Sequence, residues 1–202
     1  MSLLRVMSVT LAHARQRAAR AALRTIISAR HPTLSCDSTV IWDIPYRSLD
    51  ELELGVDVRI MPFCEILVIP RSRFTSKHGR LSIGDDIVIA TGVNLRAAGG
   101  EIRIGTGSAI GQHSTVVAAN HQVVLGEPYF STPWDEAKTG VELGRNVWVG
   151  ANCVLLPGTR IGDHSVIAAG SVVNSEVPSG EIWGGVPARR LKAVPSRAEP
   201  GS

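Results

Sequence analysis

One of the six histidines in this chain has a position suited to chemistry. His121, in the stretch AANH, stands at the start of about twenty residues, 118–139, that interrupt a regular apolar pattern. Long segments that leave a compact body are commonly functional. Imidazole titrates close to neutral pH, so His121 can act as a general base that removes a proton. The alternative is a solvated loop histidine.

The apolar pattern has a period of six residues, which neither an α-helix nor a simple strand explains. Within each period, the third residue after the aliphatic one tolerates left-handed backbone angles, as in Asp86, His113, Asn146 and His164. Each hexad therefore reads as one strand and one turn, and three hexads close a triangular coil of about eighteen residues. The aliphatic residues, called core positions below, are Ile83, Ile89, Leu95, Ile104, Ile110, Val116, Leu143, Val149, Leu155, Ile161, Ile167 and Val173.

The sequence divides into four predicted segments. Residues 1–32 form an Arg-rich amphipathic helix that packs on the body or on another subunit, or contacts anionic lipid at a membrane surface. Residues 33–80 are an irregular lead-in with short strands. Residues 81–194 form the repeat domain with its protruding loop 118–139, and residues 195–202 are a flexible tail.

Composition restricts the class of protein. The first 30 residues hold six arginines and no acidic residue, which leaves 15 basic against 18 acidic residues in the remainder. That balance argues against a nucleic-acid surface on the repeat domain. The three cysteines lie far apart without a CxxC pair, so we expect reduced thiols and a cytoplasmic protein.

The repeat, the stretch LGRNVWVG and the closing stretch IWGGVPARRLK together resemble the hexapeptide-repeat acyltransferases. Within that family, AANH followed by a loop is similar to the galactoside and maltose O-acetyltransferases and to polysaccharide O-acetyltransferases. The resemblance implies an all-β fold, a left-handed parallel β-helix. It also implies a homotrimer with active sites between adjacent subunits, and acetyl-coenzyme A as the acyl donor.

The resemblance also implies roles for single residues. His121 matches the general base and Asn94 an acceptor-binding asparagine, although Asn94 can equally stabilise a corner. Ala151 matches the residue whose backbone N–H faces the oxyanion. Trp148 points outward and is either a wall of the ligand site or a subunit contact. The residues matched to the coenzyme A groove are Trp148, Ala151, Ala169, Asn174, Pro187, Arg189 and Lys192.

The sequence thus predicts an enzyme, an acetyl-CoA-dependent O-acetyltransferase acting on a carbohydrate hydroxyl. An antibiotic or amino-sugar N- or O-acetyltransferase is the alternative, and an inactive scaffold or binding protein is a further one. The γ-type carbonic anhydrases share the fold but need three histidines around zinc. His113 and His121 are eight positions apart and no third histidine has a suitable spacing, so we expect no metal. The acceptor, the regiochemistry and the partner that orients His121 do not follow from the sequence.

Overall fold

A computed structural model describes residues 3–196 of the chain. The N-terminal unit, up to Pro32, contains the helix α1 (Leu3–Arg30). No proline or glycine interrupts α1, and it ends directly before the His31–Pro32 pair, because a proline disfavours helical angles in the residue before it. The apolar stripe expected along α1 involves side chains at 3–13, 15 and 17, which lie outside the description. Within residues 3–196, no helix combines the length and apolar character needed to cross a bilayer.

The second unit, from Thr33 onward, is built from short strands that follow one another around a triangle. Within residues 33–196 they form six coils of three strands each and a closing hairpin. In chain order the strands are β1 (Ser35–Cys36), β2 (Ile41–Asp43), β3 (Leu52–Leu54), β4 (Arg59–Ile60), β5 (Glu65–Ile69), β6 (Arg80–Ile83), β7 (Val88–Ile89), β8 (Asn94–Ala98), β9 (Glu101–Ile104), β10 (Ala109–Ile110), β11 (Thr115–Val117), β12 (Val141–Leu143), β13 (Trp148–Val149), β14 (Val154–Leu155), β15 (Thr159–Ile161), β16 (Val166–Ile167), β17 (Val172–Val173), β18 (Glu176–Val177), β19 (Glu181–Gly184) and β20 (Arg189–Ala193).

Each strand pairs in parallel with the strands three places before and after it, which gives the prism three faces. Face 1 runs from β1 through β16 to β19, face 2 from β2 to β17, and face 3 from β3 to β18. The last strand, β20, pairs antiparallel with β19 and closes face 1. The chain turns from face 1 to face 2 at edge 1–2, and the other two corners are edge 2–3 and edge 3–1. Two short 3₁₀ helices, Tyr46–Glu51 and Tyr129–Ser131, lie outside the coils.

The core of the prism is the stack of core positions. All twelve aliphatic residues predicted from the six-residue period are at most 3% exposed. The slot two residues earlier also points inward and holds small or apolar side chains, including Ser108, Ser114 and Cys153. Ser114 shows how a hydroxyl is accommodated there. Its Oγ donates to the Gly150 carbonyl at 3.0 Å and accepts from the Cys153 N–H at 3.1 Å, so the buried hydroxyl ties one coil to the next.

The corner residues have the predicted left-handed backbone. The φ angles are +54° at Asp86, +57° at His113, +54° at Asn146 and +60° at His164. Polar residues with short side chains tolerate this region better than branched ones do. His113 and His164 are therefore turn residues, as their positions in the period predict.

The coils begin earlier than the regular pattern. Strands at residues 33–80 form the first two coils, in parallel register with the coils that follow. Two insertions obscure the period there: the 3₁₀ helix Tyr46–Glu51, and residues 70–79 between β5 and β6. At the other end β20 continues to Ala193. Most of the predicted tail, from residue 197, lies outside the described residues.

Candidate functional site

His121 lies where the chain leaves edge 2–3. The long loop (residues 118–139) departs after β11 and returns at β12. Its two ends are joined, because the Gly140 N–H donates to the Ala118 carbonyl at 2.7 Å. Ala118 is in turn held by the Arg96 carbonyl of the preceding coil at 3.1 Å. His121 lies three residues after Ala118 and is half-buried.

Both ring nitrogens of His121 form hydrogen bonds inside the long loop. Nδ1 lies 3.0 Å from the Thr132 carbonyl oxygen, and Nε2 lies 2.9 Å from Nε1 of Trp134. A carbonyl only accepts and an indole N–H only donates. The imidazole is therefore neutral, with its proton on Nδ1 and its basic lone pair on Nε2. The orienting partner of His121, which the sequence left open, is the Thr132 carbonyl.

A second excursion from the same edge packs against this histidine. The short loop (residues 70–79) connects β5 to β6 and carries Phe74. The Phe74 ring meets the His121 ring edge-on at 5.5 Å between centroids and stacks on Trp134 at 6.4 Å. The backbone N–H of Trp134 also donates to the Phe74 carbonyl at 2.9 Å. The short loop was not predicted, although the 17-residue gap between Ile66 and Ile83 in the six-residue period marks it.

Glu136 fastens the two loops to each other. Its Oε1 accepts from Thr75 Oγ1 at 2.7 Å and from the Ser76 N–H at 2.6 Å, and its carboxylate also accepts from Ser76 Oγ at 3.0 Å. The hydroxyl of Thr75, followed by the backbone and hydroxyl donors of Ser76, holds the pKa of the Glu136 carboxyl below its ordinary value. This carboxylate also went unnoticed in the sequence, since nothing in its spacing points to residues sixty positions earlier.

The indole ring of Trp134 packs directly against a glycine. Gly99, at the same edge in the preceding coil, has φ +64°. A Cβ at this position would lie 2.1 Å from Cε3 of the Trp134 ring. Only glycine lets the indole approach this closely. Trp134 is therefore an anchor of the long loop.

Asn94 lies apart from His121. It begins β8 on face 2 and pairs with Thr115 of the next coil, six residues before His121. Its Nδ2 donates to Oε2 of Glu65 on the preceding coil at 3.0 Å. Its Oδ1 is buried and has no hydrogen-bond partner among the described residues. The amide is thus held across face 2, with one acceptor atom left unsatisfied.

Three of the residues matched to the coenzyme A groove lie along edge 1–2. Ala151 and Ala169 occupy the same corner in adjacent coils, where the Gly170 N–H donates to the Ala151 carbonyl at 2.8 Å. Within residues 3–196, neither the Ala151 nor the Ala169 N–H donates a hydrogen bond. The closing turn lies above them, since the Ala188 N–H donates to the Val172 carbonyl at 2.8 Å and brings Pro187 to this edge.

The remaining matched residues are more dispersed. Trp148 is 60% exposed on face 1, between Ala109 and Val166 of the neighbouring coils. Arg189 and Lys192 are exposed on β20, at the end of that face. Asn174 is exposed at edge 2–3, two coils beyond the long loop. His121 and the pair Ala151 and Ala169 therefore lie on different edges of one prism.

The geometry contains two separate elements of a site. One is an oriented imidazole between two loops at edge 2–3, and the other is a column of free backbone N–H groups at edge 1–2. No group of three or more His, Cys, Asp or Glu side chains is placed to hold a metal ion in the described part of the chain. His113 lies at edge 1–2 and His121 at edge 2–3.

Comparison with known proteins agrees with the repeat. Residues 140–175 match the family model described as bacterial transferase hexapeptide (six repeats). This part of the chain therefore carries hexapeptide repeats of that kind. Among solved structures, it resembles a point mutant of AntD, an N-acyltransferase from Bacillus cereus, in complex with dTDP-4-amino-4,6-dideoxyglucose and coenzyme A. The TM-score is 0.66 at 23% identity, covering 81% of this chain and 82% of that one. The fold of this chain is the left-handed parallel β-helix that the resemblance to the hexapeptide-repeat acyltransferases implies.

Two curated relatives belong to different functional classes. Galactoside O-acetyltransferase of Escherichia coli K12 is 30% identical over 58% of this chain and 46% of its own length. Gamma carbonic anhydrase 2 of Arabidopsis thaliana is 31% identical over 64% of this chain and 49% of its own length. This chain thus spans about half the length of these relatives.

Proposed function

We propose that this protein is an acyltransferase that moves an acetyl group from acetyl-coenzyme A to a hydroxyl of a carbohydrate, with His121 as general base. The observation that carries the proposal is the pair of hydrogen bonds on the imidazole. The Thr132 carbonyl fixes the proton on Nδ1, so the basic nitrogen is Nε2. A sugar hydroxyl is a poor nucleophile until its proton is removed, and neutral imidazole is suited to remove it.

In the proposed reaction the acceptor oxygen attacks the thioester carbonyl carbon while its proton passes to Nε2 of His121. The tetrahedral intermediate carries a negative oxygen, which the Ala151 N–H is free to bind. When the carbon–sulfur bond breaks, the thiolate takes the proton back from the imidazolium. The products are an acetyl ester and free coenzyme A. No covalent enzyme intermediate is needed, and Cys153 is buried in the core as a structural residue.

The donor fits the residues at edge 1–2 and on β20. The free backbone N–H of Ala169, one coil beyond Ala151, can bind a carbonyl group of the pantetheine arm. Coenzyme A carries three phosphates, and a guanidinium binds phosphate in a bidentate manner. Arg189 is exposed, and within the described residues its side chain bonds only the neighbouring Ala188 carbonyl. It is thus available for a phosphate.

We propose further that the active particle is a homotrimer. His121 and Ala151 lie on opposite edges of face 2, which is about 15 Å across for five extended residues. They can act on one thioester when edge 1–2 of one chain meets the loops at edge 2–3 of its neighbour. Closed rings of identical subunits make such heterologous contacts. The trimeric arrangement of the family that the sequence resembles supports this reading.

A second acceptor class has its own support. The similar solved structure from Bacillus cereus is an N-acyltransferase in complex with an amino-sugar nucleotide and coenzyme A. An amine acceptor would yield an amide instead of an ester. Mild alkali distinguishes the two products, since an O-acetyl ester is cleaved and an amide is retained.

The compartment is also a proposal. In the part of the chain that the structure describes, Cys36, Cys64 and Cys153 form no disulfide. Burial raises the pKa of the Cys64 and Cys153 thiols, which keeps both protonated and unreactive. Free thiols without a disulfide are typical of a reducing environment, so we propose that the enzyme works in the cytoplasm.

The experiment is a screen for acceptor-dependent thiol release from acetyl-coenzyme A. Sugars, amino sugars and their nucleotide-linked forms are supplied one at a time, and free thiol is measured. The proposal predicts release that requires one class of acceptor and yields an alkali-labile product. Release with no acceptor dependence, or none across the panel, would contradict it.

A further inference from the structure

The lone pair that the proposed reaction needs is occupied. Nε2 of His121 accepts the indole N–H of Trp134 at 2.9 Å, close to the ideal length of such a bond. An imidazole in this state cannot accept a proton from an acceptor hydroxyl, because Nε2 is its basic nitrogen. An acceptor hydroxyl and the Trp134 indole therefore compete for the same nitrogen.

Trp134 is held in this position by more than the one bond. Its backbone N–H donates to the Phe74 carbonyl, its ring stacks on Phe74, and its six-membered ring lies over Gly99. An isolated backbone bridge also joins His121 and Trp134. The indole is thus part of the edge that both loops build, and its contact with His121 is supported from several sides.

We propose that Trp134 is a positioning residue that caps His121 Nε2 and is exchanged for the acceptor hydroxyl. The inference rests on the proposed function. Without acceptor, the indole N–H holds the ring in the neutral form with Nε2 turned toward the acceptor position. An acceptor hydroxyl then replaces this donor with its own, and hydrogen bonding to Nε2 is conserved across the exchange. A molecule that offers no donor at this point, such as an ether oxygen or a methylated sugar, cannot make the exchange.

The first test measures the reactivity of Nε2 directly. Diethyl pyrocarbonate acylates the unprotonated nitrogen of neutral imidazole, and peptide mass spectrometry follows His121 against the exposed His78 of the same molecule. Trp134→Phe retains an aromatic ring on Gly99 and Phe74 but removes the N–H. We expect acylation of His121 to become about fivefold faster, as the loss of one net hydrogen bond implies. Trp183→Phe, which removes an indole N–H bonded to Glu181, is the control and leaves His121 unchanged.

A second variant displaces the indole without altering it, and a matched variant serves as its control. Gly99→Ala places a Cβ into the Trp134 ring, whereas Gly180→Ala adds a Cβ at a similar positive φ with no atom within 4 Å. Both variants carry a similar backbone penalty, and only Gly99→Ala should accelerate acylation of His121. This pair decides the question if Trp134→Phe does not fold. Equal reactivity of His121 in wild type, Trp134→Phe and Gly99→Ala would overturn the proposal.

The kinetic test uses the acceptor found by thiol release. Trp134→Phe should lower the KM for the acceptor about fivefold, because no indole hydrogen bond to Nε2 has to be broken. A raised acceptor KM together with unchanged reactivity of His121 would mean that Trp134 binds the acceptor and does not cap the base. Acylation of His121 by diethyl pyrocarbonate requires no acetyl transfer. It therefore tests whether Trp134 caps Nε2 separately from the proposed enzymatic function.

Discussion

Thr75 donates a 2.7 Å hydrogen bond from its hydroxyl to Oε1 of Glu136 and thereby joins the two loops that leave the prism at edge 2–3. The Ser76 N–H donates to the same oxygen at 2.6 Å. The Glu136 carboxylate thus helps to hold the short loop, and Phe74 with it, beside His121. The assembly of the site depends on residues sixty positions apart in the chain.

Glu136→Ala should release the short loop. The bonds to Thr75 and Ser76 are lost, so hydrogen exchange at the Ser76 amide should become faster, as followed by NMR. Glu127→Ala removes another acidic side chain of the long loop, one for which no side-chain bond is found among the described residues, and should leave exchange at Ser76 unchanged. Equal protection of Ser76 in wild type and Glu136→Ala would show that the carboxylate does not hold the loops together.

The hydrogen bonds from Thr75 and Ser76 to the Glu136 carboxylate should weaken only at low pH. The pKa of the Glu136 carboxyl is lowered from 4.5, chiefly by the Thr75 hydroxyl. A lowered folded-state pKa stabilises these bonds fully above pH 4.5, and this stabilisation is lost as the pH falls through the depressed pKa. Protection at Ser76, corrected for the intrinsic exchange rate, should be constant from about pH 5 to 7 and fall only below the ordinary carboxyl range. A loss of protection between about pH 5 and 7 would contradict this assignment.

The prism and the site differ in how far the sequence predicts them. The core positions follow from a period that is interrupted only by insertions, so residues such as Ile89 and Leu155 are buried as predicted. The corners follow for the same reason, since His113 and His164 recur where Asn and Gly stand in other hexads. Leu54, Ile60 and Ile66 keep the period, but the 3₁₀ helix Tyr46–Glu51 precedes them and the short loop separates them from Ile83.

The surroundings of His121 follow much less directly. Its importance was predicted from the place where the period breaks. Its partners were not, because Thr132, Trp134 and Phe74 belong to two segments without any period. Their contacts depend on how two loops fold against one edge, which the spacing of residues in the chain does not encode. The sequence likewise does not predict that Oδ1 of Asn94 is buried without a hydrogen-bond partner among the described residues.

His164→Ala should cost stability and spare turnover. The residue sits at φ +60°, where alanine is less tolerated than histidine or asparagine. Urea unfolding should show a loss of about 1 kcal/mol, while His164→Gly loses less and His78→Ala in the short loop is within about 0.5 kcal/mol of wild type. A glycine variant less stable than the alanine variant would refute the corner role.

Arg189→Ala should raise the KM for acetyl-coenzyme A about tenfold with little change in kcat, because a phosphate contact far from the reacting carbon contributes equally to the ground and transition states. Arg190 is the matched control, since its Nε donates to Glu181 at 2.7 Å and the side chain is already paired. Arg190→Ala should leave this KM unchanged. A fall in kcat with an unchanged KM in Arg189→Ala would remove the phosphate role.

The particle in solution should be a trimer. Light scattering should give a mass about three times the 21.5 kDa of the chain, and activity should fall when dilution separates the subunits. The shared site follows from the placement of His121 and Ala151 on different edges, and the number of subunits follows from the family that the sequence resembles. A monomer that keeps full activity at assay concentration would show that one chain contains a complete site.

The central claim is that His121 removes the acceptor proton, and turnover of His121→Ala in acceptor-dependent thiol release tests it most directly. Loss of a general base should lower kcat by about 10²- to 10⁴-fold, with the KM values of donor and acceptor nearly unchanged. His113→Ala, a corner variant, should retain turnover in whatever fraction folds. A His121→Ala protein of native mass that keeps more than about a third of the wild-type kcat would contradict the account, since that loss lies far below the range of general-base catalysis.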